Sequence, residues 1–179
     1  NAAFFGNLED VSKWIYMFNY ESPDCAGSID GDLLQTLQGS TIISHFDESD
    51  FALLKLDDDT PLSYNVYYAG WSAVDTLTDS VVGIHHPDGD IKKISFENDS
   101  IEHSGYFSIG TNHWKVVDWD DGTTEPGSSG SPFVASGVLV GSCRLADGTI
   151  LIVVVGTRCI RSKPIAIRLD GVLGLTVLH

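Results

Sequence analysis

Short β-forming runs, broken every few residues by turn formers, constrain this chain more than any other feature. Aromatic and β-branched residues concentrate at 12–20, 41–46, 51–56, 64–71, 80–84, 91–96, 114–119, 132–140 and 150–155. Gly, Pro, Asp and Asn fill the gaps, including the acidic turn at 47–50. Runs of that length suit half-buried strands, whereas helices need a sustained 3.6-residue period. Only 32–37 offers a turn of helix. Many short strands with Gly-rich turns predict an all-β chain, an antiparallel sandwich or barrel.

Charge narrows the function classes. A net charge of −15 argues against nucleic acid as a partner, because phosphate binding needs clustered Lys and Arg. The longest apolar run, 150–155, is far short of the ~18 residues of a membrane span. The composition also breaks. All eighteen aromatics lie at or before Phe133, and all four arginines lie at or after Arg144. That leaves two accounts of residues 142–179: a terminal region covering a core built elsewhere, or a segment of different origin such as a shifted reading frame. Cys25, Cys143 and Cys159 match no zinc spacing, so no metal site is expected, and no cofactor.

The segment best suited to chemistry is Thr-Glu-Pro-Gly-Ser-Ser-Gly-Ser-Pro at 124–132. Glycines beside a serine let the backbone turn tightly, expose a hydroxyl and aim successive N–H groups at one point. Such amides stabilise the oxyanion of a tetrahedral intermediate. Pro126 before the loop and the apolar run after it tie it to a sheet.

Gly127–Pro132 resembles the nucleophile loop of chymotrypsin-fold (trypsin-like) serine proteases, and the longer form resembles the lysyl endopeptidase branch. Three other stretches are similar to that family in the same order. They are Phe-Asn-Tyr-Glu at 18–21 with Cys25, Ser-Asp-Phe-Ala-Leu-Leu-Lys-Leu at 49–56, and Gly-Ile-His-His-Pro at 83–87 with Lys-Ile-Ser at 93–95. The resemblance implies a trypsin-like double antiparallel β-barrel with the first barrel incomplete. Residues 1–60 would be the remainder of that barrel, 61–141 the second barrel, and 142–179 an atypical C-terminal segment. It also implies Ser129 as nucleophile, Gly127 and Ser129 amides as the oxyanion hole, and Asp50 as the carboxylate that orients a histidine. His85 and His86 belong to the framework in this family. His103 and His113, single among polar residues, are expected at the surface. Cys25 matches a family cysteine that pairs with one near the mature N-terminus.

The departures set the remaining expectations. Upstream of Asp50 the only histidine is His45, and the family's Thr-Ala-x-His-Cys stretch is absent. A serine and an aspartate without an imidazole lack a general base, so this chain alone is expected to hydrolyse peptides negligibly. The likeness fades after Gly141, where the composition breaks, which favours a frame change there. A pocket acid for Lys selection would sit at Thr123 in trypsin-type enzymes and downstream in the lysyl branch, and neither Asp147 nor Asp170 can be assigned to it. The expectation is therefore a secreted, monomeric serine endopeptidase acting on peptides or proteins, with no nucleic-acid or membrane partner. The alternatives are a pseudoprotease or β-domain that binds peptides or protein partners, and an unrelated sandwich in which the loop is only a turn.

Overall fold

The computed structural model describes residues 10–46, 51–72, 78–104, 113–146 and 149–154. Its elements are strands and single 3-10 turns, with no α-helix among the described residues. No helix there is long and apolar enough to cross a membrane. The all-β architecture expected from the sequence is present. Its antiparallel sheets are open rather than closed, as in an incomplete barrel.

Near the N-terminus, β1 (Ile15–Met17) pairs with β2 (Thr36–Gln38), and β3 (Ser40–Phe46) forms a hairpin with β4 (Phe51–Leu56). Alternation places Ala52, Leu54 and Leu56 on the buried face of β4, where they meet Val11 and Tyr16. The third and largest sheet holds β5 (Gly70–Trp71), β6 (Val81–His85), β7 (Lys93–Glu97), β8 (Glu102–Ser104), β9 (His113–Val116), β10 (Pro132–Ala135), β11 (Val138–Ala146) and β12 (Thr149–Val154). Its order is β7-β6-β10-β11-β12-β9-β8, with β5 parallel to β11. Val81, Ile101, Trp114, Val116, Trp119, Phe133, Ala135 and Val140 form its core.

Several details differ from the sequence reading. Residues 64–71 contribute only the two-residue β5, because the chain turns at Leu62–Tyr64 and Asn65 then adopts φ 47°. Tyr67 and Tyr68 are exposed, while the Tyr64 hydroxyl donates to the Thr36 carbonyl of β2. No helical turn forms at 32–37. The Asp32 carboxylate accepts the Leu34 N–H at 2.8 Å, and the chain enters β2 at Thr36. The run 132–140 is a hairpin, reversed at Ser136-Gly137, where both residues have positive φ. His113 is buried (1% exposed), not at the surface, on a strand where Trp114 and Val116 of the opposite face are buried too. β11 crosses Gly141 without interruption and keeps register with β12 from Gly141↔Val154 to Ala146↔Thr149.

Candidate active site

The 124–132 loop enters β10, and β10 pairs with β6 through Phe133↔Gly83. That pairing sets the loop beside the end of β6, where His85 and His86 lead into a 3-10 turn at Pro87–Gly89. The two motifs meet directly: the Asp88 N–H donates to the Pro126 carbonyl at 2.7 Å. Gly127, at φ 96°, fits against the same turn. A Cβ there would lie 3.0 Å from the Gly89 nitrogen, 3.1 Å from the Asp88 nitrogen and 3.1 Å from the His86 oxygen. Only glycine suits both that backbone angle and that approach.

The first motif joins from the other side. Tyr20 stacks on His86 with ring centroids 5.8 Å apart, and its carbonyl accepts the Lys92 N–H at 3.0 Å. Glu21 pairs with Lys92. The Tyr-Glu, His-His-Pro and Gly-Ser-Ser stretches, far apart in sequence, are thus one contiguous structure.

The loop's own hydrogen bonds orient its amides. A trans peptide points its C=O and N–H in opposite directions. The Pro126 carbonyl faces Asp88, so the Gly127 N–H in the same peptide points away from the turn. The Ser128 carbonyl accepts from the Ser131 N–H at 3.2 Å, which turns the Ser129 N–H outward in the same way. The Ser128 N–H is spent on the Glu125 carbonyl at 2.9 Å. Among the described residues, neither the Gly127 nor the Ser129 N–H donates a backbone hydrogen bond. Two unspent amides therefore flank one spent amide, and both belong to peptides fixed through their carbonyls.

Ser129 is partly exposed, while Ser128 beside it is fully buried. The Ser128 hydroxyl lies 2.9 Å from His85 Nδ1, and His85 Nε2 lies 3.1 Å from the Ser95 hydroxyl. Sequence reasoning singled out neither Ser128 nor Ser95. The signal that would have found the pair is the alternation of β6 and β7, which puts His85 and Ser95 on one buried face. Burial, with the neighbouring His86 charge as a smaller cause, holds His85 below the usual histidine range. Asp50 lies outside the described residues. His45 is exposed on β3.

Elsewhere, carboxylate oxygens of Glu97, Asp99 and Asp120 lie within 4.8 Å of one another. Asp120 accepts both the N–H and side-chain amide of Asn98, and Glu97 accepts the Asp99 N–H. These acids hold the turn after β7. Cys25 is exposed with a free thiol.

The family model for the lysyl endopeptidase C-terminal domain matches residues 5–149. The chain belongs to that family. Over 119 residues it is 35% identical to a lysyl endopeptidase of Pseudomonas aeruginosa, an alignment covering 63% of this chain and 24% of that protein. The chain thus spans about a quarter of the length of this curated lysyl endopeptidase. The matched region contains all four stretches that carried the resemblance, and it ends at residue 149, past Gly141 and the end of β11 at Ala146.

Proposed function

We propose that this lysyl endopeptidase-family chain is the nucleophile-bearing part of a secreted serine endopeptidase. Ser129 Oγ attacks the scissile carbonyl of a peptide or protein substrate, and the Gly127 and Ser129 N–H groups receive the oxyanion. The observation that carries this reading is the pair of unspent amides around Ser129, each in a peptide fixed by its own carbonyl. Donors held in place before reaction need no reorganisation as charge develops, and one such donor accounts for about 10²–10³ in kcat.

Asp50 is the carboxylate that orients the general base. His85 is not that base, since both of its ring nitrogens are engaged by buried serines. The base comes instead from a segment of the parent protein outside these 179 residues, so the chain alone is inactive. Cleavage follows Lys, as the relative's name indicates for that protein. The parent works as a monomer, without cofactor, nucleic acid or membrane.

An alkyl fluorophosphonate tests this in two preparations, the isolated chain and the full-length parent protein. The expected result is labelling of Ser129 in the parent and none in the isolated chain, together with Lys-directed peptide cleavage by the parent. Labelling that persists in the Ser129→Ala parent would overturn the assignment.

A further inference from the structure

The buried face beneath the loop carries a chain of hydrogen bonds whose direction can be worked out. The Ser95 hydroxyl donates to the Thr123 carbonyl at 2.9 Å, so its proton is spent and its oxygen accepts from His85 Nε2–H. A neutral imidazole protonated at Nε2 presents a bare Nδ1. That nitrogen accepts the Ser128 hydroxyl proton, and the Ser128 oxygen in turn accepts the Glu125 N–H at 3.2 Å. Every proton in the chain has one acceptor. The opposite tautomer would aim Nδ1–H and Nε2 at partners arranged for the reverse.

We propose that His85, with Ser95 and Thr123 behind it, is a positioning residue that fixes Ser128 and thereby the orientation of the Gly127 and Ser129 amides. Ser128 lies between those two amides, and its φ and ψ together with those of Gly127 decide how their peptide planes lie relative to each other. Anchoring its side chain holds those angles where two backbone hydrogen bonds alone would allow rocking. The His85 ring is 2% exposed and Ser128 and Ser95 are fully buried, so the anchor cannot touch substrate. Its effect reaches the reaction only through the loop. Buried polar networks specify one geometry when every member is satisfied, and the tautomer assignment satisfies this one.

The inference rests on Ser129 being the nucleophile, and the test separates the two claims. In the full-length parent protein, Ser128→Ala, Ser95→Ala and His85→Gln would be assayed for kcat and KM on a fluorogenic lysyl peptide, with Ser129→Ala alongside. The expected result is a kcat roughly ten- to a hundred-fold lower for the three anchor variants, with KM within about two-fold, since misaligned oxyanion donors act on the transition state. A kcat that stays at the parent level in Ser128→Ala, or a loss confined to KM, would overturn the positioning role. Nitrogen-15 histidine NMR of the unmodified parent at neutral pH supplies a readout independent of the variants' folding. A neutral Nε2–H signal for His85 supports the anchor, and an Nδ1–H or doubly protonated ring overturns it. Undiminished activity in Ser129→Ala would instead remove the nucleophile assignment, with the NMR signature still deciding whether the anchor exists.

Discussion

His85 Nδ1 and the Ser128 hydroxyl, 43 residues apart in sequence, meet at 2.9 Å inside the protein. The contact joins the end of β6 to the loop before β10, and in the hydrogen-bond chain inferred above Nδ1 is its acceptor. Unfolded, the histidine titrates near 6.5, and folding lowers that value through burial and, secondarily, His86. Lys93 faces the same position across β7, in register with His85. Above about pH 6.5 the ring is neutral in both states and its stabilising contribution is complete. As pH falls below that, the unfolded chain gains a proton that the folded chain resists, and stability declines until the lowered folded value is passed. Urea midpoints should therefore drop between pH 7 and 5, and His85→Gln should flatten that slope. The carboxylates held below their ordinary 3.8, Asp24 and Asp90 among them, act at lower pH and leave this window to histidine.

Gly127→Ala combines strain and collision. Its φ of 96° disfavours any side chain, and the added carbon would meet the backbone of the Asp88 turn, which cannot swing aside as a flexible side chain can. Gly137, at φ 78° in the β10–β11 turn, is open by comparison: a methyl group there would meet nothing within 4 Å, which isolates the conformational part. Gly137→Ala is expected to cost about 1 kcal/mol, and Gly127→Ala roughly 2–3 kcal/mol, in denaturant unfolding. Equal costs would mean that the turn yields to the methyl group.

Short apolar and β-branched runs bounded by turn formers made most of β3, β4, β6, β7 and β12 legible, and on β6 the alternating burial follows that pattern. The turn at Gly127 was legible for another reason, since a tight loop with φ > 0 favours glycine, whereas Ser129 was assigned only through the family resemblance. What stayed hidden depends on tertiary pairing. His113 has polar sequence neighbours, and its burial comes from tertiary packing around β9 that local composition does not reveal. Ser128 looked interchangeable with Ser129 until the sheet placed His85 below it. Residues 64–71 have the composition of a strand, but only Gly70 and Trp71 find a partner, pairing with β11 as β5.

The N-terminal core has its own buried polar contact. The Tyr16 hydroxyl lies 2.6 Å from the Ser40 hydroxyl, which reaches the Val11 carbonyl at 3.4 Å. Donation by Ser40 to that carbonyl leaves its oxygen to accept from Tyr16. Tyr16→Phe removes one donor and leaves Ser40 with its carbonyl partner, so the expected cost is about 1 kcal/mol. Because this cluster is separate from the core beneath the loop, amide NMR shifts at 126–131 should stay within noise. Shifts there would show that the two cores are coupled.

Phe133 shows why the loop depends on the larger core. It is 1% exposed, stacks on Trp119 with centroids 5.8 Å apart and planes within 4°, and lies opposite Gly83 on one side and Gly141 on the other. Gly83 leaves space on the sheet for both rings, since a Cβ there would come within 3.0 Å of Trp119 and 3.5 Å of Phe133. Phe133→Ala opens a cavity under the first strand after the loop, with an expected loss of about 3–5 kcal/mol. Trp119 emission should shift to the red as water reaches its exposed face. Phe133→Leu keeps most of the volume and loses the stack, so it should cost less and leave the emission nearer that of the parent. If Leu and Ala prove equally damaging, the aromatic stack rather than the filled volume holds the strand, and the cavity argument fails.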